Sequence, residues 1–282
     1  MMRTVILVVA MALACHPSDD YGGAGGSGGG SGGDGGGTSG ATSALGSGGS
    51  TIPVVGGETG TRYFGDSHSG NFWLGPVDFA QTEWPNACGP SDGPYPSAIQ
   101  ALYGDYLMGV AKQVMLGSLS AGQGQLCDTC AELTANGVTL IAHVITYGDE
   151  TGPNDIDVSP QARDALHGAT NYTCTWRFVT CPTKNAIVYT FDGRDWSNYW
   201  YFRVWIRNAR VPVAKLEYKV GSKSWATAEW QSDGAWQAAN VDFSKGFSLR
   251  VTSIEGASIE DTLPGIGTFD ANAGVASHAN FE

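Results

Sequence analysis

Positive charge is scarce in this sequence. Only 15 of its 282 residues are Lys or Arg, against 27 Asp and Glu, and the formal net charge is −12. No cluster of basic residues occurs along the chain. Because a protein that binds nucleic acid needs a basic surface to meet the phosphates, this composition excludes nucleic acid as a partner.

Long apolar runs are also rare, and the longest lies at the N-terminus. Residues 4–14 follow Met1-Met2-Arg3 and are too few to cross a bilayer, which takes about 20 residues. A short basic region before an apolar stretch of this length is typical of an export signal. The sequence therefore predicts an exported protein with a signal peptide over residues 1–14.

A cysteine follows this segment directly. Cys15 comes after Leu13-Ala14, which resembles a bacterial lipobox even though Ala12 stands where such motifs favour Leu. The resemblance implies cleavage before Cys15 and lipidation of its sulfur, and His16 in place of Asp favours the outer membrane. The alternative is an ordinary signal peptide with an incidental cysteine and a secreted protein. A membrane is expected as a partner only through this anchor.

Glycine is concentrated in one tract. Of the 41 Gly residues, 16 lie within residues 21–50. A Gly/Ser run has no apolar groups to offset the entropy of ordering, so it predicts a flexible tether. Residues 15–50 are thus assigned to the lipobox cysteine and its linker, and the rest of the chain is long enough for two small domains or one large one.

The folded part divides near residues 181–184. Residues 60–182 have a net charge of −8 and residues 183–282 a net charge of −1, while six of the nine Trp lie within 41 residues of the second part. Pro182 suits a turn after a strand. We therefore predict one domain over residues 60–182 and another over residues 183–282.

The sequence contains no nucleotide-binding loop, haem motif or cluster of metal ligands, so no cofactor is expected. A single CxxC at residues 127–130 in an exported chain favours disulfides over zinc. Cys174 and Cys181 lie in one strand-like run, about 23 Å apart if extended, and cannot bridge each other, so each is expected to have another partner. The pairing stays open among the five cysteines of the folded part, which are Cys88, Cys127, Cys130, Cys174 and Cys181.

Most of the folded part has the pattern of β-strands. Residues 138–147 and 175–180 are rich in β-formers, and Ser159 before Pro160 begins a short helix. Residues 200–207 alternate between two faces. Further strands are expected at residues 213–219, 224–229, 247–253 and 258–261. This spacing predicts a β-sandwich in the second domain.

Eight short motifs, taken in order over about residues 60–282, resemble the succession found in bacterial expansins. They lie at residues 86–89, 127–130, 155–162, 176–182, 201–213, 215–218, 261–264 and 277–281. The resemblance implies an all-β fold. Its first domain would be a six-stranded double-psi β-barrel, and its second an immunoglobulin-like β-sandwich of the family 63 carbohydrate-binding type.

The resemblance also implies a site in the first domain. Asp157 matches the family's required acid and Tyr147 its groove tyrosine, whereas Ile145 departs from the family's second acid. From the residues alone, Asp157 ends a β-rich stretch just before a helix, where partial burial would keep its carboxyl protonated as a donor to a glycosidic oxygen. Asp155 is expected on the same strand face.

Residues 61–66 (TRYFGD) resemble both the expansin opening and the signature of family 45 glycoside hydrolases. Gly65 stands where that hydrolase has its base, and Asp66 comes one residue later, on the opposite face of an extended strand. An inverting hydrolase needs two carboxyl groups about 6.5–9.5 Å apart. The sequence therefore favours a non-hydrolytic protein, and the alternative is an endoglucanase with Asp66 as base and Asp157 as acid.

Aromatic residues of the second domain predict a sugar-binding surface, because flat sugar faces stack on rings. By resemblance, Trp200 and Tyr201 match the family's adjacent pair of rings and Arg194 its basic contact. The family's third ring has no direct counterpart, so Trp230 or Trp236 is expected to replace it. The alternative for Trp200 is a place in the core, since it shares the parity of the apolar residues of its strand.

These features together predict a monomeric exported protein that binds cellulose or a related β-glucan and loosens chain contacts without cutting them. The alternatives are the hydrolase and a purely adhesive carbohydrate-binding surface protein. The natural polymer is left open between plant wall and the cell's own peptidoglycan.

Overall fold

The structure is a computed structural model of the chain. It describes residues 65–75, 77–79, 87–89, 95–120, 124–148, 152–168, 172–194, 196–271 and 274–282, with only the backbone at 119 and 120. The predictions for the signal peptide, Cys15, the Gly/Ser tract and residues 61–64 lie outside the described residues.

Six strands close into a barrel. They are β1 (His68–Leu74), β2 (Leu107–Ala111), β3 (Cys130–Ala135), β4 (Val138–Gly148), β5 (Ile156–Val158) and β6 (Thr173–Val179). Their order is β1-β5-β2-β4-β3-β6, in which β1 pairs with β5 and β2 with β4 in parallel. The remaining neighbours are antiparallel. The predicted six-stranded barrel is confirmed.

Apolar side chains at alternate positions of these strands fill the barrel. Phe72 of β1, Met108 of β2 and both Ile156 and Val158 of β5 are completely buried in it. Successive side chains of a strand point to opposite faces. Asp157, which stands between two interior residues, therefore lies on the outer surface of the barrel.

Three short helices accompany the barrel: α1 (Ser97–Tyr103), α2 (Lys112–Ser120) and α3 (Pro160–Ala165). The helix predicted after Ser159 is confirmed as α3, because the Ser159 side chain accepts a hydrogen bond from the backbone N–H of Ala162. In the described part of the chain, no helix is both long and apolar enough to span a membrane.

The second half of the chain forms two further sheets. The strands are β7 (Val188–Phe191), β8 (Tyr201–Arg207), β9 (Val213–Lys219), β10 (Ala226–Thr227), β11 (Glu229–Trp230), β12 (Trp236–Ala239), β13 (Phe247–Ser253), β14 (Ser258–Leu263) and β15 (Val275–Ala276). One sheet has the order β10-β9-β13-β14 and the other β11-β12-β8-β7-β15. The strands predicted at residues 213–219 and 247–253 are confirmed as β9 and β13.

The two faces of β8 have different neighbours. Phe202, Val204 and Ile206 pack into the core between the two sheets. Trp205 and Arg207 point the other way, yet they are 1% and 0% exposed. The outer face of this sheet is therefore covered at the end of β8, and the barrel covers it.

Two disulfides are present, Cys88–Cys127 and Cys130–Cys181. Cys174 is a buried free thiol. Burial, and then the charge of Asp155, raise the pKa of Cys174 to about 12, so the thiol stays protonated. The expectation that Cys181 bonds elsewhere than to Cys174 is confirmed, and the expectation that Cys174 also has a disulfide partner is wrong.

A buried ion pair joins the barrel to the sandwich, which belong to one compact unit. Arg207 Nη1 lies 2.6 Å from Asp128 Oδ2, and both side chains are almost completely buried. The same guanidinium donates to the carbonyl of Cys88 and lies over the ring of Tyr95, 4.3 Å from its centroid. Tyr103 donates to the other oxygen of Asp128 at 2.8 Å. Burial lowers the pKa of Arg207, but the charges of Asp128, Tyr95 and Tyr103 and the hydrogen bond to Asp128 together outweigh this effect and raise the pKa.

Other contacts surround this pair. Trp230 Nε1 donates to Gln125 Oε1 across the domain boundary at 3.1 Å. A Cβ on Gly234 of the sandwich would lie 2.9 Å from Cys127 Sγ, so the turn that contains Gly234 packs directly on a disulfide of the barrel. The contact between the two domains thus combines a buried ion pair, a side-chain hydrogen bond and close packing on a disulfide. Together these contacts define the relative position of the barrel and the sandwich.

We expect Arg207→Leu to lower the free energy of unfolding by about 3–5 kcal/mol, because Asp128 is then a buried charge without its partner. Chemical denaturation measures this change. Arg177→Ala is the matched control, since Arg177 pairs with Glu132 on the surface at 3.0 Å and should cost less than about 1 kcal/mol. Equal losses in the two variants would contradict the role given to the buried pair.

Candidate functional site

Four neighbouring strands place four residues in one row on the outside of the barrel. Gly109 of β2 is in register with Thr146 of β4 and with Asp157 of β5, and Asp157 is in register with Trp73 of β1. Neighbouring strands lie about 4.8 Å apart, so the row is about 14 Å long. We call this row of Thr146, Gly109, Asp157 and Trp73 the Asp157 groove.

Two glycines leave space around the Asp157 carboxyl. A Cβ on Gly75 would lie 2.3 Å from Asp157 Cγ and 2.6 Å from its Oδ2, so the backbone there contacts the carboxyl directly. A Cβ on Gly109 would lie 2.8 Å from Thr146 Cγ2 and 3.6 Å from Asp157 Cβ. Gly109 thus forms a floor without a side chain between Thr146 and the half-buried Asp157.

Asp155 has a different environment from Asp157. It is buried, and its Oδ1 accepts hydrogen bonds from the backbone N–H of Asn71 at 2.9 Å and from Asn71 Nδ2 at 3.3 Å. Trp73 Nε1 lies 3.5 Å from its Oδ2. Asp155 therefore fixes β1 beside β5 and orients the indole of Trp73.

Tyr147 lies one residue beyond the row. Its ring packs against the barrel core, and its hydroxyl donates to the carbonyl oxygen of Ser232 in the sandwich. Burial, and then the charge of Asp233, raise the pKa of Tyr147, so the hydroxyl remains a donor at neutral pH. In the row itself, Thr146 is the residue of β4 that lies level with Asp157. The side chain that the resemblance assigns to the groove thus connects the two domains.

Asp66 lies far from Asp157 along the first strand. It is exposed and precedes β1, while Trp73, which is level with Asp157, lies seven residues further on. At ~3.3 Å per residue this is about 23 Å. An inverting hydrolase needs a separation of about 6.5–9.5 Å. In an extended chain, this spacing does not bring Asp66 to the distance from Asp157 that a pair of catalytic carboxyl groups would need.

The start of β8 carries an exposed aromatic surface. Trp200 is 51% and Tyr199 43% exposed, with ring centroids 6.1 Å apart. Trp200 precedes the strand, so the parity of β8 does not carry it into the core. Tyr201 is half-buried and its hydroxyl donates to Gln237 Oε1 at 3.3 Å. We call Tyr199, Trp200 and Tyr201 the platform.

Two other tryptophans do not extend the platform. Trp236 is only 5% exposed and is in register with Val204, which faces the sandwich core. The prediction of Trp236 as a third ring is therefore wrong. Trp230 packs at the edge of the same core and donates to Gln125 of the barrel, so it contributes to the contact between domains.

Ion pairs run from the platform side towards the barrel. Arg194 Nε donates to Asp192 Oδ1 at 2.8 Å, and Arg203 Nη1 lies 3.5 Å from Asp192 Oδ2. Arg203 also pairs with Asp233, next to Ser232. Burial raises the pKa of Asp192, but the hydrogen bonds from Arg194 lower this pKa below its ordinary value. Arg194 is thus already paired with a carboxylate and keeps 43% of its side chain exposed.

One group of possible metal ligands occurs among the described residues. The ligand atoms of Cys130, His143 and Cys181 lie within 4.8 Å of one another. Both sulfurs are joined in a disulfide, so they offer no thiolate. Burial lowers the pKa of His143 to about 4, and its ring stacks on Tyr103 at 4.3 Å. This group is a packed structural cluster.

Several residues of the groove were missed by sequence reasoning. Trp73, Gly75, Gly109 and Thr146 come from three separate segments that only the closed barrel brings together. The available signal was the run HSGNFWL at residues 68–74, where Phe72 and Trp73 are adjacent and must point to opposite faces of a strand.

No protein-family model matches the chain. The chain is 26% identical to Expansin-YoaJ of Bacillus subtilis over 111 residues. The matched residues make up 39% of this chain and 46% of Expansin-YoaJ, so the match spans less than half the length of that relative. The fold is similar to crystal structures of an expansin of Clavibacter michiganensis. For the apo form the TM-score is 0.59, with 16% identity over 77% of this chain and 97% of the other. For a mutant of that expansin in complex with cellohexaose, the TM-score is 0.58 and the identity 15%, again over 77% of this chain and 97% of the other.

The fold likeness confirms the predicted class, a double-psi β-barrel followed by a β-sandwich domain. At 15–16% identity, the similarity to these crystal structures establishes the fold alone. The roles of the groove and platform residues depend on their geometry in this chain.

We expect Gly75→Ala to displace the Asp157 carboxyl, because the new methyl group would lie 2.3 Å from its Cγ. The 13C chemical shift of the Asp157 carboxyl measures the displacement. Gly109→Ala is the matched control, since its methyl group would contact Thr146 first and should change this shift less. An unchanged Asp157 signal in Gly75→Ala would contradict the close packing described here.

Proposed function

We propose that the chain is an expansin-like protein, which binds cellulose or a related β-1,4-glucan and loosens contacts between chains without cutting them. The observation that carries this proposal is that neither of the other two candidate carboxyl groups is placed to activate water beside Asp157. Asp155 accepts hydrogen bonds from Asn71 and Trp73, and Asp66 precedes β1, seven residues before Trp73, which is about 23 Å in an extended chain.

A single carboxyl group limits the chemistry of the groove. Inverting hydrolysis needs one group to protonate the glycosidic oxygen and another to activate water. Asp157 can exchange hydrogen bonds with sugar hydroxyl groups. The Thr146 methyl group lies against Gly109, and the Thr146 hydroxyl accepts a hydrogen bond from the backbone N–H of Ala87 at 3.0 Å. A glucan in the groove would replace bonds to its neighbouring chain with bonds to the protein. Since one such bond is worth about 0.5–1.5 kcal/mol net, the exchange is close to balanced and reversible.

The platform supplies affinity in this proposal. Trp200 and Tyr199 are exposed, and the pyranose ring of a glucan presents flat C–H faces that stack on such rings. Contacts between ring faces contribute about 0.5–1.5 kcal/mol each beyond the area they bury. The proposal includes a family 63-type carbohydrate-binding role for the sandwich, with Trp200 and Tyr201 as its main contacts and Arg194 at its side.

The contact between domains relates the two surfaces. Tyr147 and Ser232 join the barrel to the sandwich, and the Arg207–Asp128 pair fixes their relative position. In our proposal the platform therefore retains the polymer while the Asp157 groove acts on it. Net charge contributes little to the affinity, because the ligand is neutral.

The proposed site of action is outside the cell. The N-terminal motif supports export, and we propose a lipid anchor at Cys15 with the Gly/Ser tract as its tether. Incorporation of palmitate, compared between the natural chain and Cys15→Ser, tests the anchor. Plant wall and peptidoglycan are the two polymers that we propose to compare.

We expect Asp157→Asn to abolish the extension of clamped plant wall strips, because it removes the ionisable group of the groove while keeping its shape. Neither the natural chain nor the variant should release reducing ends from amorphous cellulose. Asp164→Asn is the matched control on the exposed side of α3 and should extend walls normally. Reducing ends well above the Asp157→Asn level would contradict a non-lytic function, and unchanged extension in that variant would favour adhesion alone.

We expect Trp200→Ala combined with Tyr201→Ala to lower retention on cellulose by at least about tenfold, since two ring contacts contribute roughly 1.4 kcal/mol or more together. Pull-down at low and moderate salt measures the loss, and the natural chain should bind equally at both because stacking is not screened. Trp225→Ala, a partly buried tryptophan elsewhere on the sandwich, serves as control. A steep fall with salt in the natural chain would point to ionic binding instead.

A further inference from the structure

The barrel carries an exposed aromatic residue directly beside Asp157. Trp73 is 39% exposed, is level with Asp157 on the neighbouring strand, and stacks on Tyr172, with centroids 5.5 Å apart at 22°. We propose that the open side of the Trp73 indole is a second stacking site, which binds a pyranose ring of the same glucan next to Asp157. This inference rests on the proposed function and names a residue that decides how the groove orients its ligand.

The indole is fixed before any ligand arrives. Its Nε1 is directed towards Asp155 Oδ2, and the ring of Tyr172 supports one face. Tyr172 is itself attached to β1, because its carbonyl oxygen accepts a hydrogen bond from the backbone N–H of Phe72 at 2.8 Å. A side chain held from two directions loses little rotamer freedom on binding, so more of the contact energy appears as affinity.

The exposure of Trp73 is not needed for the fold. Trp176 of β6, by contrast, is 1% exposed and packs in the barrel core. Trp73 instead stands on the outer face, next to the core residue Phe72. Leu74 beside it is 51% exposed, so an apolar surface continues past the end of the groove. Exposed apolar surface of this kind marks a binding site when it adjoins polar groups that can orient a ligand.

The geometry fits a flat, neutral ligand with hydroxyl groups at its edge. A pyranose ring over the indole would place its equatorial hydroxyl groups towards the carboxyl of Asp157, one strand away at about 4.8 Å. The next ring of the chain would then lie at Gly109, which has no side chain of its own, beside the Thr146 methyl group. A sugar chain along the row therefore makes stacking contact at Trp73 and hydrogen bonds at Asp157.

Ring stacking can be separated from apolar packing by two substitutions of one residue. Trp73→Phe keeps a flat ring, whereas Trp73→Leu keeps an apolar side chain without one, and both lose the indole N–H. Both variants are made in the full chain that also carries Trp200→Ala and Tyr201→Ala, so that binding at the platform does not obscure the groove. Soluble cellohexaose is the probe, and saturation-transfer NMR measures its affinity.

We expect the platform-deficient chain and its Trp73→Phe variant to bind cellohexaose within about threefold of each other, and Trp73→Leu to bind about tenfold more weakly, as expected for one ring contact. Tyr172→Leu should weaken binding by less, because Tyr172 only supports the indole. Circular dichroism and the thermal midpoint check that each variant is folded.

Equal affinity of folded Trp73→Phe and Trp73→Leu would overturn the stacking site. So would a folded platform-deficient chain that gives no transfer from cellohexaose while the natural chain does. Failure of the proposed function is a different result, in which the natural chain itself binds neither cellulose nor cellohexaose. Binding of a protein partner at this surface would leave all the cellohexaose affinities equal and would also overturn the proposal.

Discussion

The arrangement of this protein depends on one buried ion pair between its two domains. Arg207 reaches out of the sandwich into a pocket of the barrel formed by Asp128, Tyr95 and Tyr103. Neither charge is favourable in the interior without the other, because the cost of removing an ion from water is several kcal/mol. The pair therefore contributes specificity more than stability: any other docking of the domains would leave a buried charge unpaired. The relative position of groove and platform follows from this constraint.

The groove itself depends on strand register. Trp73, Gly109, Thr146 and Asp157 lie far apart in sequence and form a row only because β1, β5, β2 and β4 are neighbours in the barrel. A register shift in the pairing of β2 with β4, between Met108 and Gly109, makes Thr146 the partner of Gly109. Without this irregularity, a different residue of β4 would lie level with Asp157. The chemistry of the row is thus set by backbone pairing as much as by residue type.

Features that depend on residues close together in the sequence could be predicted here, and features that depend on the pairing of distant strands could not. Strands β9 and β13 and the cap of α3 depend on local alternation and on a single hydrogen bond, and they could be predicted. Trp236 could not be placed, because its strand has four residues and its face depends on pairing with β8. Motif resemblance pointed to Asp157 and Tyr147 together, whereas strand pairing places Thr146 level with Asp157, because the register shift leaves no local trace in the sequence. Trp73 was overlooked because its segment has no motif and gains meaning only beside Asp157.

The disulfide between Cys130 and Cys181 has a mechanical consequence. Cys181 lies just after β6, in the segment that leads into the sandwich, and Cys130 is the first residue of β3. Tension on the sandwich, such as a moving polymer would exert, therefore reaches the barrel through a covalent bond to β3 as well as through the end of β6. Strand β6 is hydrogen-bonded to both β3 and β1, and it would otherwise be the first strand to be peeled away. The crosslink shares the load between the adjacent ends of two paired strands, so β6 cannot separate from β3 at this end while the covalent bond is intact.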